Sequence, residues 1–164
     1  MIDVSKKILL QLEKVLNSLS NDEYNAPLEI FSGASVGQHT RHILEFYLCL
    51  ISNCDCDTLN YDLRKRDKNI EQNLSFCLEK TAEIVEELSY VNADKKMCLE
   101  AVQGGKTIKV DTTFNRELLY AIEHTVHHLA IIKMGILLNF PHIEIPANFG
   151  VAESTIEYKT KCAQ

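Results

Sequence analysis

The chain has 164 residues, of which 46% are hydrophobic and 24% charged, and its formal net charge is −6. This length suits one domain with a substantial core, so we predict a single domain over residues 1–164. The negative charge disfavours nucleic acids and anionic membranes as partners, and every apolar run is interrupted before it reaches membrane-spanning length. The first residues lack the charged and apolar regions of a signal peptide, which predicts a cytoplasmic protein.

Helical spacing of apolar residues predicts three helices in the first half of the chain. They should cover residues 2–20, about 35–52 and about 69–90. Between them, turn-forming residues predict a loop over 21–34, and a polar stretch occupies 53–67. We expect no regular structure in these two connections.

The period of the apolar residues changes after the third helix. Two short alternating runs flank Gln103-Gly104-Gly105-Lys106, which predicts a β-hairpin. A fourth long helix should begin near Thr113 or Asn115 and end near Asn139, and prolines and glycine predict an extended tail from Phe140 onward. The expected fold is an all-α, up-and-down-type four-helix bundle with a hairpin before its last long helix.

Six cysteines are many for a chain of this length. Without an export signal, we expect them to be reduced thiols rather than disulfides. Cys54 and Cys56 form a close pair, but no second pair completes a zinc-binding pattern, so structural zinc at the cysteines is not favoured.

Three of the six histidines fall between Glu123 and Leu129, inside the fourth helix. His124 and His128 lie one turn apart on an apolar side, near enough for both imidazoles to bind one ion, whereas His127 points to the more polar side. Burying an imidazole is costly unless its nitrogens find partners. A metal ion and hydrogen-bonding core neighbours are both suitable partners, and the pair alone leaves both readings open.

The second helix can supply a third ligand, because sites in helical bundles are built from facing helices. It offers His39 and His42. His39 lies nearer the centre of the apolar stripe and His42 at its edge, so helical phase by itself favours His39.

Two motifs make the chain resemble the DinB-like family (damage-inducible, also called YfiT-like), whose members are metal-binding four-helix bundles. In that family a ligand histidine follows the Ser or Thr that opens helix two by seven residues, which from Ser35 is His42. The last long helix carries His-x-x-His-His, whose first and last histidines bind the metal. The resemblance, which runs through nearly the whole chain in helix order, thus implies His42, His124 and His128 as ligands. It also implies that a homodimer is common.

The remaining polar residues near these motifs are candidates to orient the ligand imidazoles or to replace one of them. They are His39, His127 and Glu45. Many family members continue His-His-Arg-Gly-Gln, whereas here Leu129 and Ala130 follow, so the substrate need not be shared. No catalytic residue is assigned.

Three neutral imidazoles leave a divalent ion with open positions, as in catalytic sites, and zinc, nickel or iron would accept them. Several DinB-like proteins are similar to S-transferases that use low-molecular-weight thiols, which implies metal-dependent transfer of such a thiol to a small electrophile. Tyr120 is a candidate to face the open position, and Arg64 and Arg66 to bind carboxylates of the thiol. The alternative functions are a non-catalytic metal-binding or stress-response bundle and a hydrolase that activates water. For the basic segment that holds Arg64 and Arg66, the alternative is a solvated loop with local ion pairs.

Overall fold

The computed structural model describes residues 1–162, over which the chain is mostly helical with one small sheet. The long helices are α1 (Ile2–Leu16), α3 (Val36–Ser52), α5 (Leu74–Glu87) and α6 (Phe114–Asn139). The shorter ones are α2 (Asn21–Asn25), α4 (Lys68–Gln72) and α7 (Glu153–Cys162), with 3-10 turns at Glu29–Phe31 and Tyr61–Leu63. The strands are β1 (Thr58–Leu59), β2 (Lys96–Gln103) and β3 (Lys106–Thr113).

The four long helices enclose the core. α1 and α3 each pack against both α5 and α6. The apolar stripe predicted for the second helix is buried, with Val36, Ile43, Tyr47 and Leu50 all without solvent exposure. Burial of this stripe holds α3 against α6, and these two helices carry the motif histidines.

The predicted first helix over 2–20 is too long, because α1 ends at Leu16 and a second helix starts after Ser20. Ser20 Oγ accepts a hydrogen bond from Glu23 N, and Ser20 N donates to the Glu23 carboxylate. This capping box satisfies backbone donors at the start of α2. A short helix therefore stands where turn-forming residues predicted a loop.

The predicted third helix over 69–90 is interrupted at Asn73. Its backbone is extended there, with φ −124° and ψ 102°, and its side chain accepts from Phe76 N at 3.1 Å. Asn73 thus ends α4 and caps α5, since a side-chain acceptor at this position replaces a missing helical partner. The second helical segment ends at Glu87.

The predicted hairpin is present, and a third strand extends it. β2 and β3 pair antiparallel, and Gly104 and Gly105 turn the chain with φ of 58° and 75°, the left-handed values that a tight hairpin turn requires. β1 pairs parallel with β2, Thr58 opposite Cys98. The polar stretch 53–67, predicted to be irregular, is therefore anchored to the sheet.

The extended tail predicted from Phe140 is wrong for Glu153–Cys162, which form α7. Phe149 is fully buried, and Gly150 has φ +69° where a side chain would meet the α6 backbone at Ala130, so the tail packs on the core before α7 begins. α7 buries none of its side chains, and its acidic first turn and basic last turn suit the helix dipole. The prediction for residues 163–164 lies outside the described residues.

All six cysteines fall within the described chain, and none of them is in a disulfide there. Among the helices of residues 1–162, none is both long and apolar enough to span a membrane.

Candidate metal centre

Three histidines from two helices converge where α3 packs against α6. His42 Nε2 and His124 Nε2 are 2.9 Å apart, and His128 joins them so that one ring nitrogen from each residue lies within 4.8 Å of the others. An ion held tetrahedrally at about 2.0–2.1 Å from imidazole nitrogens separates them by about 3.4 Å. The observed spacing brackets this value, so these residues fit a divalent ion.

A helix cap and a contact in the core set the relative position of α3 and α6. Ser35 Oγ caps α3 by accepting from Gln38 N at 3.1 Å, which sets where the helix begins. Deeper in the core, Tyr47 OH lies 3.3 Å from Thr125 Oγ1, and both residues are buried. Thr125 follows His124 directly, so this contact locks α6 in phase with α3.

The electrostatics of the cluster favour neutral imidazoles. Burial is the largest cause, and the nearby His124 is the second, of a pKa lowered to about 4 for His42 and to about 3 for His128. Burial also lowers the pKa of His124 and of His39. Metal ions bind the neutral imidazole, and at neutral pH all of these groups are neutral.

His39 stands behind His128 rather than inside the cluster. Its Nδ1 lies 3.1 Å from His128 Nδ1, and its ring packs edge-on against Phe31 with centroids 4.7 Å apart. Its Nε2 is buried without a hydrogen-bond partner among the described residues. His127 is exposed, as helical phase predicted. Within residues 1–162 its ring packs against the cluster at His128, with the two ring centroids 5.3 Å apart.

Glu45 reaches the cluster through an arginine. The residue is 2% exposed. Its carboxylate accepts a hydrogen bond from Asp67 N at 2.9 Å and lies 3.4 Å from Arg41 Nε and 3.5 Å from Arg64 Nε. Arg64 Nη2 in turn donates to His42 Nδ1 at 3.3 Å. The carboxylate therefore positions a guanidinium that contacts a cluster histidine.

The two arginines predicted to bind a thiol differ in position. Arg64 contacts the cluster, whereas Arg66 is exposed and makes no hydrogen bond or ion pair within residues 1–162. The structure brings only the first of them to the histidines.

A cavity of about 320 Å³ is separated from the histidines by residues that contact them, and it is lined partly by aromatic rings. Tyr120, predicted to face the ion, stacks on His124 with centroids 5.8 Å apart. Phe46 is closer, with its ring centroid 4.5 Å from that of His124, and the Arg64 guanidinium carbon lies over the Phe46 ring, 5.1 Å from the same centroid. Phe46 is not among the residues predicted from the sequence, although its place one turn after His42 on α3 was a usable signal.

The family of this chain follows from its sequence match. The sequence model of the DinB family matches residues 10–134, a span that includes the three clustered histidines. The chain belongs to the DinB family. This membership and the histidine cluster together fit a DinB-like metal-binding protein.

A curated relative is FK506-binding protein 5 of Rhizopus delemar, which is 33% identical over 111 residues. The alignment covers 63% of this chain and 28% of the relative, so the chain spans little more than a quarter of that protein's length. No solved structure matches this chain.

Proposed function

We propose that this DinB-family protein is an enzyme that uses one divalent ion, zinc, nickel or iron, held by His42, His124 and His128. The observation that carries the proposal is the convergence of three neutral imidazoles within 4.8 Å from two helices. Three protein ligands leave coordination positions open, the arrangement of catalytic rather than closed structural sites. The ring of contacts among α1, α5, α3 and α6 supports an up-and-down-type four-helix bundle around the site.

The proposed reaction is transfer of a low-molecular-weight thiol to a small electrophile. When bound, the ion supplies Lewis acidity that lowers the pKa of a thiol, and the thiolate is the nucleophilic form. The resemblance of DinB-like proteins to thiol-dependent S-transferases supports this choice. So does a cavity of about 320 Å³ whose lining includes three residues that contact the histidines: Phe46, Arg64 and Tyr120.

The chain's own residues have distinct parts in this proposal. Phe46 and Tyr120 form the aromatic wall next to His124, where they exclude water and pack against the substrate body. Arg64 is the donor for a carboxylate of the thiol or electrophile. His39 orients His128 by accepting a hydrogen bond from its Nδ1.

We also propose a homodimer. Exposed apolar side chains near the end of α6 offer a surface for a second copy: Met134, Leu137 and Leu138.

Turnover with and without an added thiol tests the function. Metal-loaded protein should consume an electrophile such as an epoxide or an activated alkyl halide only when a small thiol is present. His124→Ala should remove this activity, and His142→Ala is the matched control, because His142 is exposed and pairs with Glu23 away from the cluster. Activity that needs the metal but no thiol indicates a hydrolase. Metal binding without consumption of any electrophile indicates a non-catalytic metal-binding or stress-response protein.

A further inference from the structure

The contact between Arg64 and His42 determines which ring nitrogen of His42 carries the proton. A guanidinium has only N–H donors, so Arg64 Nη2 at 3.3 Å can only donate, and His42 Nδ1 must accept. A neutral imidazole that accepts at Nδ1 carries its proton on Nε2. In this arrangement His42 Nε2 donates to His124 Nε2, 2.9 Å away.

Ion binding requires the opposite arrangement. The nitrogen of His42 that faces the cluster is Nε2, so this atom must present its lone pair to the ion. A neutral imidazole then carries its proton on Nδ1. That N–H would point at the N–H of Arg64, and two donors at hydrogen-bond distance repel each other.

Another proposed ligand, His128, has a partner without this conflict. His128 Nδ1 faces His39 Nδ1 at 3.1 Å, and an imidazole can either donate or accept. Proton relocation on His39 therefore accommodates an ion on His128. The guanidinium beside His42 has no equivalent adjustment except to move away.

We propose that ion binding displaces the Arg64 guanidinium from His42 and frees its Nη2 donor for an anionic group of the substrate in the adjoining cavity. Arg64 already lines that cavity. Its Nη1 donates to Tyr61 O at 2.9 Å and its Nε lies 3.5 Å from a Glu45 carboxylate oxygen, so these two contacts keep the guanidinium beside the aromatic wall while Nη2 turns away from His42. Arg64 is thus a substrate-binding residue whose free donor depends on the ion. This inference rests on the proposed function, because it requires the ion at the three histidines.

Removal of Arg64 should strengthen metal binding, the opposite of what loss of a supporting residue does. In a chelator competition with zinc, Arg64→Met should bind zinc roughly tenfold more tightly than the wild-type chain, a change of the size seen for groups beside ligand imidazoles. Arg66→Met is the matched control and should keep wild-type affinity, because Arg66 is exposed and without a partner among residues 1–162. Unchanged or weaker affinity in Arg64→Met overturns the inference.

A measurement on the wild-type chain separates displacement from simple charge repulsion and does not depend on the variant folding. The side-chain ¹⁵N–¹H resonance of Arg64 should shift on addition of zinc, while that of Arg66 stays in place. An Arg64 resonance that stays in place while zinc binds stoichiometrically overturns the inference and leaves the proposed metal site intact. If zinc does not bind at all, the proposed function fails first.

Discussion

His39 and His128 meet through matching nitrogens, with their Nδ1 atoms 3.1 Å apart behind the candidate metal centre. A ligand imidazole that binds through Nε2 donates from Nδ1, and the acceptor there fixes the orientation of its ring. His39 is placed to be that acceptor. The histidine that helical phase favoured as a ligand can therefore support the ion without touching it.

His39→Ala should keep about one ion per chain but bind it about 10–100-fold more weakly, since the acceptor behind His128 is lost. His42→Ala should lose the ion under the same conditions. A chelator competition measures both affinities, with His142→Ala as the control for an exposed histidine. The reverse pattern, in which His39→Ala loses the ion and His42→Ala keeps it, would make His39 the third ligand.

The metal-free protein should become less stable as the pH falls through the histidine range. The pKa of His42 drops from 6.5 to about 4 and that of His128 to about 3 on folding. Between pH 6.5 and about 4 the unfolded chain therefore binds protons that the folded chain does not, and the free energy of unfolding decreases. Above pH 6.5 these groups are neutral in both states and contribute no slope.

Urea unfolding of the metal-free protein from about pH 7.5 to about pH 5 measures this slope. The double variant His42→Gln, His128→Gln should show a shallower slope over the same range, because two of the responsible groups are absent. An identical slope in the two proteins would mean that these histidines titrate alike in the folded and unfolded chain.

Tyr120 should act through its ring rather than its hydroxyl. Tyr120→Phe retains the stacking on His124, so we expect near wild-type turnover, whereas Tyr120→Ala should mainly raise KM because uniform binding of the substrate is lost. Both variants should retain stoichiometric metal. Steady-state kinetics of the thiol-dependent reaction separates the two variants, and a loss of kcat in Tyr120→Phe would instead give the hydroxyl a part in the chemistry.

Asn73 should contribute to stability through its cap. Asn73→Ala removes the acceptor for Phe76 N and should lower the free energy of unfolding by about 1 kcal/mol. Asn69→Ala is the matched control, since Asn69 is exposed within α4 and should change stability by less than about 0.5 kcal/mol. Equal effects in urea unfolding would mean that the cap is not what stabilises the start of α5.

The sequence was sufficient wherever local pattern decides structure. The long helices follow from apolar spacing, and the hairpin follows from two glycines at a turn that needs positive φ. His124 and His128 share a helix face because they are four residues apart, which no tertiary contact can alter.

The features that the sequence did not predict depend on contacts between distant residues, or lie where the apolar spacing continues unchanged. β1 is two residues long and exists through its pairing with β2, some forty residues away. The apolar spacing runs straight across Asn73, so the break there could not be read from periodicity. The contact of Phe46 with His124 depends on how α3 packs against α6, and only the structure supplies that phase.

The choice between His39 and His42 shows what helical phase can predict and what it cannot. Helical phase ranks residues by distance from the buried stripe, and it correctly placed His39 in a packed position against Phe31. Phase cannot tell which side chain points across to the next helix. The family motif pointed to His42, the histidine of α3 that the structure brings within 2.9 Å of His124.

Metal content of the purified chain tests the central claim most directly. Elemental analysis and native mass spectrometry should find about one divalent ion per wild-type chain, and none in His42→Ala, His124→Ala or His128→Ala, because two imidazoles do not hold the ion at comparable affinity. His142→Ala should retain the ion, which controls for loss of an exposed histidine. Stoichiometric metal in all three ligand variants, or a wild-type chain that takes up no zinc, nickel or iron, would contradict the account and leave the histidines as hydrogen-bonded core residues.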